Sequence, residues 1–185
     1  MDLLKIESAI RMLLEGIDED VSREGLVETP KRVARMYEEL VAGMTRTGKE
    51  YLNKTFAMKE GEVVLVKDIE FYSLCEHHIL PFFGKVHIAY IPNEKVVGLS
   101  KLGRVVEVYA RRLQIQERMT NEIANIIMEE LEPKGILVVI EAEHLCMEMR
   151  GIKKRGSKTV CISSKGVLQQ DENMRNKIID MINLS

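Results

Sequence analysis

The chain has 185 residues, of which 45% are hydrophobic, so it is large enough for one domain with a real core and is not disordered throughout. Its 27 Lys and Arg against 29 Asp and Glu give a formal net charge of −2, which excludes the global positive field of a non-specific nucleic-acid binder. No apolar run approaches the roughly 20 residues that span a bilayer, and the first residues lack the pattern of a signal peptide. We therefore expect a cytoplasmic protein without nucleic-acid or membrane partners.

Hydrophobic periodicity divides the chain into helical and extended segments. Apolar residues recur at helical spacing before Val41, and Thr29-Pro30 supplies a cap and a first-turn proline for the second helix. Later segments are rich in β-branched and aromatic residues, which predicts strands. In chain order the predicted elements are helices at 3–17 and 29–41, strands at 63–72 and 84–91, helices at 100–109 and 117–131, strands at 136–142 and 157–163, and a helix at 171–182.

The order of these elements predicts an α+β fold. Two pairs of consecutive strands with two helices between them, ββααββ, favour an antiparallel four-stranded sheet over a doubly wound parallel sheet. The change from helical to extended patterns predicts an N-terminal helical region over residues 1–55 and a second domain over residues 56–185.

Histidine and cysteine cluster in two short segments, each directly after a predicted strand. Cys75, His77 and His78 follow the first strand, and His144 and Cys146 follow the third. Thiolate and neutral imidazole are good zinc ligands, and the Cys-x-x-His spacing of Cys75 and His78 suits a turn around one ion. With Cys146 as the third ligand, the fourth position of a tetrahedral site stays open for water, which is typical of a catalytic zinc.

The other histidines and the third cysteine have separate interpretations. His77 and His144 are predicted to be free imidazoles beside the metal, either shuttling protons in a hydrolysis or only orienting the ligands. Cys161 and His87 lie inside strand patterns, and we interpret both as structural because single Cys and His residues are commonly core groups.

Basic residues around the predicted third helix, at 100–109, indicate a phosphate site. Ser100 and Lys101 open this helix, and Arg104 lies one turn further on. A helix N-terminus with a hydroxyl and two cations is suited to binding an anion. Arg150 follows Cys146 closely in the sequence, so its side chain could also contribute to this phosphate site. The alternative is a solvated cationic helix face.

Gln116 and Glu117 lie at the joint between the two predicted central helices. A carboxylate can accept two hydrogen bonds from the N–H and amino edge of guanine, whereas adenine offers no such pair of donors. An exposed charge in the first turn of a helix is the alternative interpretation of Glu117.

Three runs of the sequence together resemble the zinc-dependent GTP cyclohydrolase I family: CEHHILPFFGKVHIAYIP, VVGLSKLGRVVEVYARRLQIQERMTNEIA and EAEHLCMEMRG. The resemblance extends from about Glu28 to Gly166. It implies an enzyme that opens the guanine imidazole ring of GTP with water, releases C8 as formate and forms 7,8-dihydroneopterin triphosphate. It also implies the tunnelling fold, a ββααββ unit that assembles as rings, typically a homodecamer of two pentamers with active sites between subunits.

The resemblance further implies roles for individual residues. It makes Cys75, His78 and Cys146 the ligands of Zn²⁺. His144 becomes the proton donor at the purine N7, and His77 lies near the ribose and N9. The remaining residues bind GTP: Glu117, helped by Gln116, anchors guanine, and the triphosphate is held by Ser100, Lys101, Arg104 and Arg150.

Two alternatives stay open at this point. One is another tunnelling-fold enzyme, the reductase of 7-cyano-7-deazaguanine, which needs a nucleophilic cysteine without zinc and uses NADPH. The other is a binding protein with a structural zinc clip, in which His77 or His144 completes the tetrahedron and no water is bound. One core of this size offers strand ends but little enclosing wall, so we expect neighbouring copies to complete a nucleotide pocket.

Overall fold

The computed structural model describes residues 1–58 and 61–183, and its contacts divide the chain into the units Met1–Ala42 and Gly43–Ser185. The first unit contains helices α1 (Leu3–Gly16) and α2 (Thr29–Leu40). The Asp2 carboxylate caps α1 by accepting a hydrogen bond from the Lys5 N–H. Both helices occur where the periodicity predicts them, and the predicted division into residues 1–55 and 56–185 stays a prediction.

The second unit mixes helices and strands. Its elements are α3 (Lys49–Leu52), β1 (Thr55–Ala57), β2 (Val64–Cys75), β3 (Pro81–Ile91), β4 (Lys95–Val97), α4 (Leu99–Ala110), β5 (Leu113–Gln114), α5 (Gln116–Leu131), β6 (Gly135–His144), α6 (Leu145–Glu148), β7 (Lys158–Gly166), α7 (Val167–Gln170) and α8 (Glu172–Asn183). Within the described ranges, no helix has the length and apolar character needed to cross a membrane.

The main sheet has five strands in the order β5-β2-β3-β6-β7. Four of them pair antiparallel, whereas β5 pairs parallel to the end of β2. Strands β1 and β4 form a separate antiparallel pair. The α+β prediction is confirmed, but the sheet is mixed rather than purely antiparallel. The periodicity missed β5 because a two-residue strand carries no alternating pattern.

Helices α4 and α5 cover one face of this sheet. Their apolar sides meet Phe71, Phe82 and Tyr90 in the main hydrophobic core, where the rings of Phe71 and Phe82 lie edge to face at 5.7 Å. A smaller cluster around Leu137 and Leu168 includes residues of α7 and α8. Burial of each large apolar side chain stabilises the folded state by about 1.5–3 kcal/mol, and this packing holds the strands in register.

The register of the sheet brings two strand ends together. At Phe82, strand β3 pairs with Ser73 of β2 on one side and with His144 of β6 on the other. Because β3 is antiparallel to both neighbours, the C-terminal ends of β2 and β6 lie at the same edge of the sheet. The chain segments that follow Cys75 and His144 therefore start close to each other.

Candidate metal centre and active site

Cys75, His78 and Cys146 form one compact cluster at this edge of the sheet. Strand β2 ends at Cys75, whose carbonyl oxygen accepts a hydrogen bond of 2.8 Å from the Ile79 N–H, while its own N–H donates to Leu80 at 2.8 Å. This tight turn places His78 Nδ1 at 3.9 Å from Cys75 Sγ. Helix α6 supplies Cys146, and one ligand atom from each of the three residues lies within 4.8 Å of the others.

The cluster fits a bound transition-metal ion. Zinc bonds of about 2.0–2.3 Å place tetrahedral ligand atoms about 3.5 Å apart, so side-chain adjustments of about 1 Å close the site. Burial raises the pKa of the Cys146 thiol, and the neighbouring Cys75 thiol raises it further. The Cys146 thiol therefore becomes a thiolate most readily when a cation binds beside it, because metal ligands must lose their protons.

His77 lies beside the cluster on the protein surface. Its Nδ1 atom is also 3.9 Å from Cys75 Sγ, and its Nε2 atom is 3.9 Å from the Glu76 carboxylate. The side chain of His77 is 64% exposed, so the imidazole is open to solvent. The structure therefore brings His77 next to the three-residue cluster, as the clustering in the sequence predicts.

An ion pair that the sequence analysis missed holds the ligand turn against α5. Arg118 on this helix donates a short hydrogen bond to the Glu76 carboxylate. Its guanidinium also donates to Gln114 Oε1 at 2.9 Å and to the Leu113 carbonyl oxygen at 3.1 Å. Glu76 lies between two residues of the metal turn, so this network orients the turn. No local pattern connects Glu76 with Arg118, because the two are 42 positions apart.

His144 is held by two contacts at the end of β6. Its Nε2 atom lies 2.8 Å from Gln116 Oε1, and its ring stacks parallel to the ring of Phe82 with a centroid distance of 4.8 Å. Burial lowers the pKa of His144, and the nearby charge of Glu117 opposes that shift. The imidazole therefore has a defined ring plane next to the metal cluster.

The two residues at the start of α5 have different surroundings. Gln116 is only 1% exposed, and its side-chain amide donates to the carbonyl oxygens of Ile140 at 2.9 Å and Thr159 at 3.0 Å. Glu117 is exposed and stands in the first turn of the helix. The Glu117 carboxylate is thus accessible to a ligand, whereas the Gln116 amide is hydrogen-bonded to backbone carbonyl oxygens inside the protein.

The predicted phosphate residues fall into two groups. Ser100, Lys101 and Arg104 lie on the first turns of α4, with the Arg104 guanidinium 5.6 Å from the centroid of the Tyr51 ring. Arg150 is exposed and follows Cys146 by four positions, and its charge offsets part of the rise that burial causes in the pKa of the Cys146 thiol. Within residues 1–58 and 61–183, no hydrogen bond or ion pair joins the three α4 residues to the metal cluster.

Cys161 and His87 occupy structural positions outside the cluster. Cys161 lies in β7 opposite Ile140, and burial raises the pKa of its thiol. His87 in β3 is 8% exposed, and its Nδ1 atom accepts a hydrogen bond of 3.2 Å from the Asp68 N–H. These surroundings agree with the structural interpretation of both residues.

Comparison with known proteins identifies relatives along the whole chain. The family model for GTP cyclohydrolase I matches residues 6–183. The GTP cyclohydrolase 1 of Lysinibacillus sphaericus is 57% identical over 186 residues, which cover 100% of this chain and 98% of the relative. The Carboxydothermus hydrogenoformans protein of the same name is 60% identical over 168 residues, with coverage of 90% and 88%. Among solved structures, the apo form of the archaeosine synthase QueF-Like is similar over 56% of this chain and 93% of its own, at 16% identity and a TM-score of 0.48.

Proposed function

The chain belongs to the GTP cyclohydrolase I family, and we propose that it opens the imidazole ring of GTP by hydrolysis, releasing C8 as formate and forming 7,8-dihydroneopterin triphosphate. The observation that carries this proposal is the grouping of Cys75, His78 and Cys146 in a chain whose relatives are named for that activity. The family match lends no support to the reductase of 7-cyano-7-deazaguanine.

Zinc is the proposed metal, and Cys75, His78 and Cys146 would hold it. Two thiols and one imidazole within 4.8 Å of one another suit its preference for sulfur and nitrogen ligands. Zinc bound by three protein ligands supplies a Lewis acid that lowers the pKa of a water molecule to about 7. The protein contributes the ligand geometry, which the Glu76–Arg118 ion pair stabilises from outside the cluster.

His144 is the proposed proton donor to N7 of the purine. C8 of a neutral purine is a poor electrophile, and a proton on N7 draws electron density away from it. A positioned acid of this kind typically contributes a rate factor of roughly 10² to 10⁴. The exposed imidazole of His77, close to Cys75, is proposed to move protons near the ribose and N9.

The proposed substrate contacts surround these groups. The exposed Glu117 carboxylate would accept two hydrogen bonds from the N–H and amino edge of guanine. The triphosphate would be held by a hydroxyl and three cations, at Ser100, Lys101, Arg104 and Arg150. In the described residues none of these four side chains forms an internal hydrogen bond or ion pair, so they are available to an anion.

The finer architecture is also part of the proposal. We infer that residues 56–185 form a catalytic tunnelling-fold domain of ββααββ order and that residues 1–55 form an N-terminal helical region. Copies of the chain would assemble as a ring, in a homodecamer of two pentamers. The exposure of Glu117 and Arg104 supports this assembly, because a neighbouring copy would supply the missing pocket wall. A cytoplasmic location stays a prediction.

Turnover of GTP by the zinc-loaded protein tests the proposed function. We expect release of formate and, after oxidation, a fluorescent pterin. Cys146→Ala should lose bound zinc and turnover together, whereas Cys161→Ala should keep both because Cys161 lies in β7, outside the cluster. If the zinc-loaded wild-type protein yields neither formate nor pterin, the proposed function is wrong.

One observation favours a second candidate, a structural zinc clip. Cys75 Sγ lies at the same distance, 3.9 Å, from Nδ1 of His77 and of His78, so His77 is within reach as a fourth protein ligand. A structural site of this kind holds the fold together, and a chelator should then unfold the protein. If the protein is the proposed enzyme, removal of zinc by a chelator should stop turnover and leave the protein folded, with a cooperative unfolding transition in urea.

A further inference from the structure

The orientation of the Gln116 side-chain amide is determined by its surroundings. Two backbone carbonyl oxygens, of Ile140 and Thr159, lie 2.9 Å and 3.0 Å from one end of the amide. Carbonyl oxygens only accept hydrogen bonds, so the NH₂ group must be at that end. A flipped amide would bury three oxygen atoms against one another without a donor, which is costly inside a protein.

This orientation decides which nitrogen of His144 carries a proton. The other end of the Gln116 amide is the acceptor oxygen Oε1, which lies 2.8 Å from His144 Nε2. A carboxamide oxygen cannot donate, so Nε2 must be the donor. The neutral imidazole therefore carries its proton on Nε2 and leaves the lone pair on Nδ1.

The stacking of His144 on Phe82 removes the remaining freedom of the ring. The two rings are parallel, with centroids 4.8 Å apart, and Phe82 is 0% exposed. Phe82 is opposite His144 in the register of β3 and β6, so the stacking surface is part of the sheet itself. The hydrogen bond selects the edge of the imidazole that faces Gln116, and the stack fixes the plane of the ring.

We propose that Gln116 is a positioning residue that holds His144 as the Nε2–H tautomer, so that Nδ1 is the atom that exchanges protons with the substrate. In the transfer, the imidazolium gives its Nδ1 proton to the purine N7, and the ring returns to the neutral Nε2–H form. This role differs from the guanine contact that the sequence resemblance implies for Gln116. The amide has both N–H groups committed and is 1% exposed, so guanine recognition belongs to Glu117.

The tautomer can be measured without any enzyme activity. In zinc-loaded protein with isotope-labelled histidine, the ring carbon and nitrogen shifts distinguish the two neutral tautomers. The chain has four histidines, and loss of one set of signals in His144→Asn assigns the residue. At about two pH units above the ordinary imidazole pKa of about 6.5, we expect the Nε2–H form. An Nδ1–H tautomer in the wild-type protein overturns the proposal, whatever the variants do.

Kinetics of Gln116→Met provide the second readout, and this part rests on the proposed function. Methionine has a similar volume, and its thioether sulfur is only a weak acceptor for the hydrogen bond from His144 Nε2. We expect kcat to fall at least about 10-fold, a fraction of the contribution of a positioned acid, with KM changed less than about threefold. A residue that anchors guanine would instead raise KM and leave kcat unchanged, and that result overturns the proposal.

Ser163→Ala is the control. Ser163 is a buried polar residue of β7, at 6% exposure, and its hydroxyl donates to Asn121 Oδ1 at 2.8 Å. It pairs with Val138, six positions before His144 on β6, so the variant loses a buried hydrogen bond without changing the Gln116–His144 pair. We expect this variant to lose stability while it keeps the His144 tautomer and most of kcat. Equal losses of kcat in both variants overturn the positioning role. If the wild-type protein shows the Nε2–H tautomer but no GTP turnover, the proposed function fails and the tautomer assignment stands.

Discussion

Replacing Gly84 with alanine tests how closely strands β3 and β6 must approach to place His144. A Cβ atom at position 84 would lie 2.0 Å from the carbonyl oxygen of Glu141 and 2.8 Å from Cα of Ala142. Real Cβ atoms essentially never come within 3.0 Å of such neighbours. Both neighbours are backbone, so the two strands must separate locally by about 1 Å.

The separation falls close to the proposed active site. Gly84 pairs with Ala142, and two residues further on Phe82 pairs with His144. A misplacement of about 1 Å can reduce a rate on the order of 100-fold, and overpacking typically costs about 1–3 kcal/mol of stability. We therefore expect Gly84→Ala to lose kcat for GTP by one to two orders of magnitude and to unfold at lower urea concentration.

Gly103→Ala is the control for this change. Nothing lies within 4 Å of a Cβ atom at position 103, which is inside α4. Alanine at a helix-interior glycine should leave the free energy of unfolding equal or raise it by up to about 1 kcal/mol. If Gly84→Ala retains both the unfolding free energy and kcat of the wild-type protein, the close approach of β3 and β6 does not position His144.

Three further predictions follow from single contacts. Arg118→Gln should lower the affinity for zinc about 10-fold, because it releases the ligand turn. Competition with a chelator measures this affinity, and the control Arg112→Gln should keep the wild-type value. Equal zinc affinities in the two variants contradict the prediction. Burial lowers the pKa of His87, so this imidazole is protonated more readily in the unfolded chain than in the folded protein. The contribution of neutral His87 to the free energy of unfolding is therefore complete above about pH 6.5 and is lost as the pH falls toward the lowered pKa. His87→Gln, which keeps an acceptor for the Asp68 N–H, should remove this part of the pH dependence of unfolding, and an unchanged slope argues against it. Burial also raises the pKa of Cys161, so its alkylation near pH 8 should be slower in the native protein than in urea, and equal rates would show that its thiol is not protected.

Local patterns predict much of the fold. The long helices and strands of the second unit are visible because an amphipathic element repeats its apolar side chains with a period of 3.6 or 2 residues. Strand β3 nevertheless begins at Pro81, before the predicted residue 84, and the short strands β1, β4 and β5 were not predicted. In each case only two or three residues are involved, which carry no period, so pairing with a neighbouring strand decides the structure.

The candidate site also has one part that the sequence indicates and another that depends on the tertiary structure. Cys75 and His78 are three residues apart, so a single turn brings them together and the sequence alone indicates a shared ligand role. The closeness of Cys146 could be expected from the two strand ends, but it depends on β3 pairing with both β2 and β6 in the observed register.

The sequence by itself determined which residue types are available for zinc and proton chemistry, because these are properties of side chains and short spacings. Only the tertiary structure decided their partners. Gln116 is 28 positions from His144, and Arg118 is 42 positions from Glu76, so no local pattern links either pair. Packing α5 against the sheet creates both contacts. The buried Gln116 amide must find hydrogen-bond partners inside the protein, whereas the partly exposed Arg118 and Glu76 pair as opposite charges.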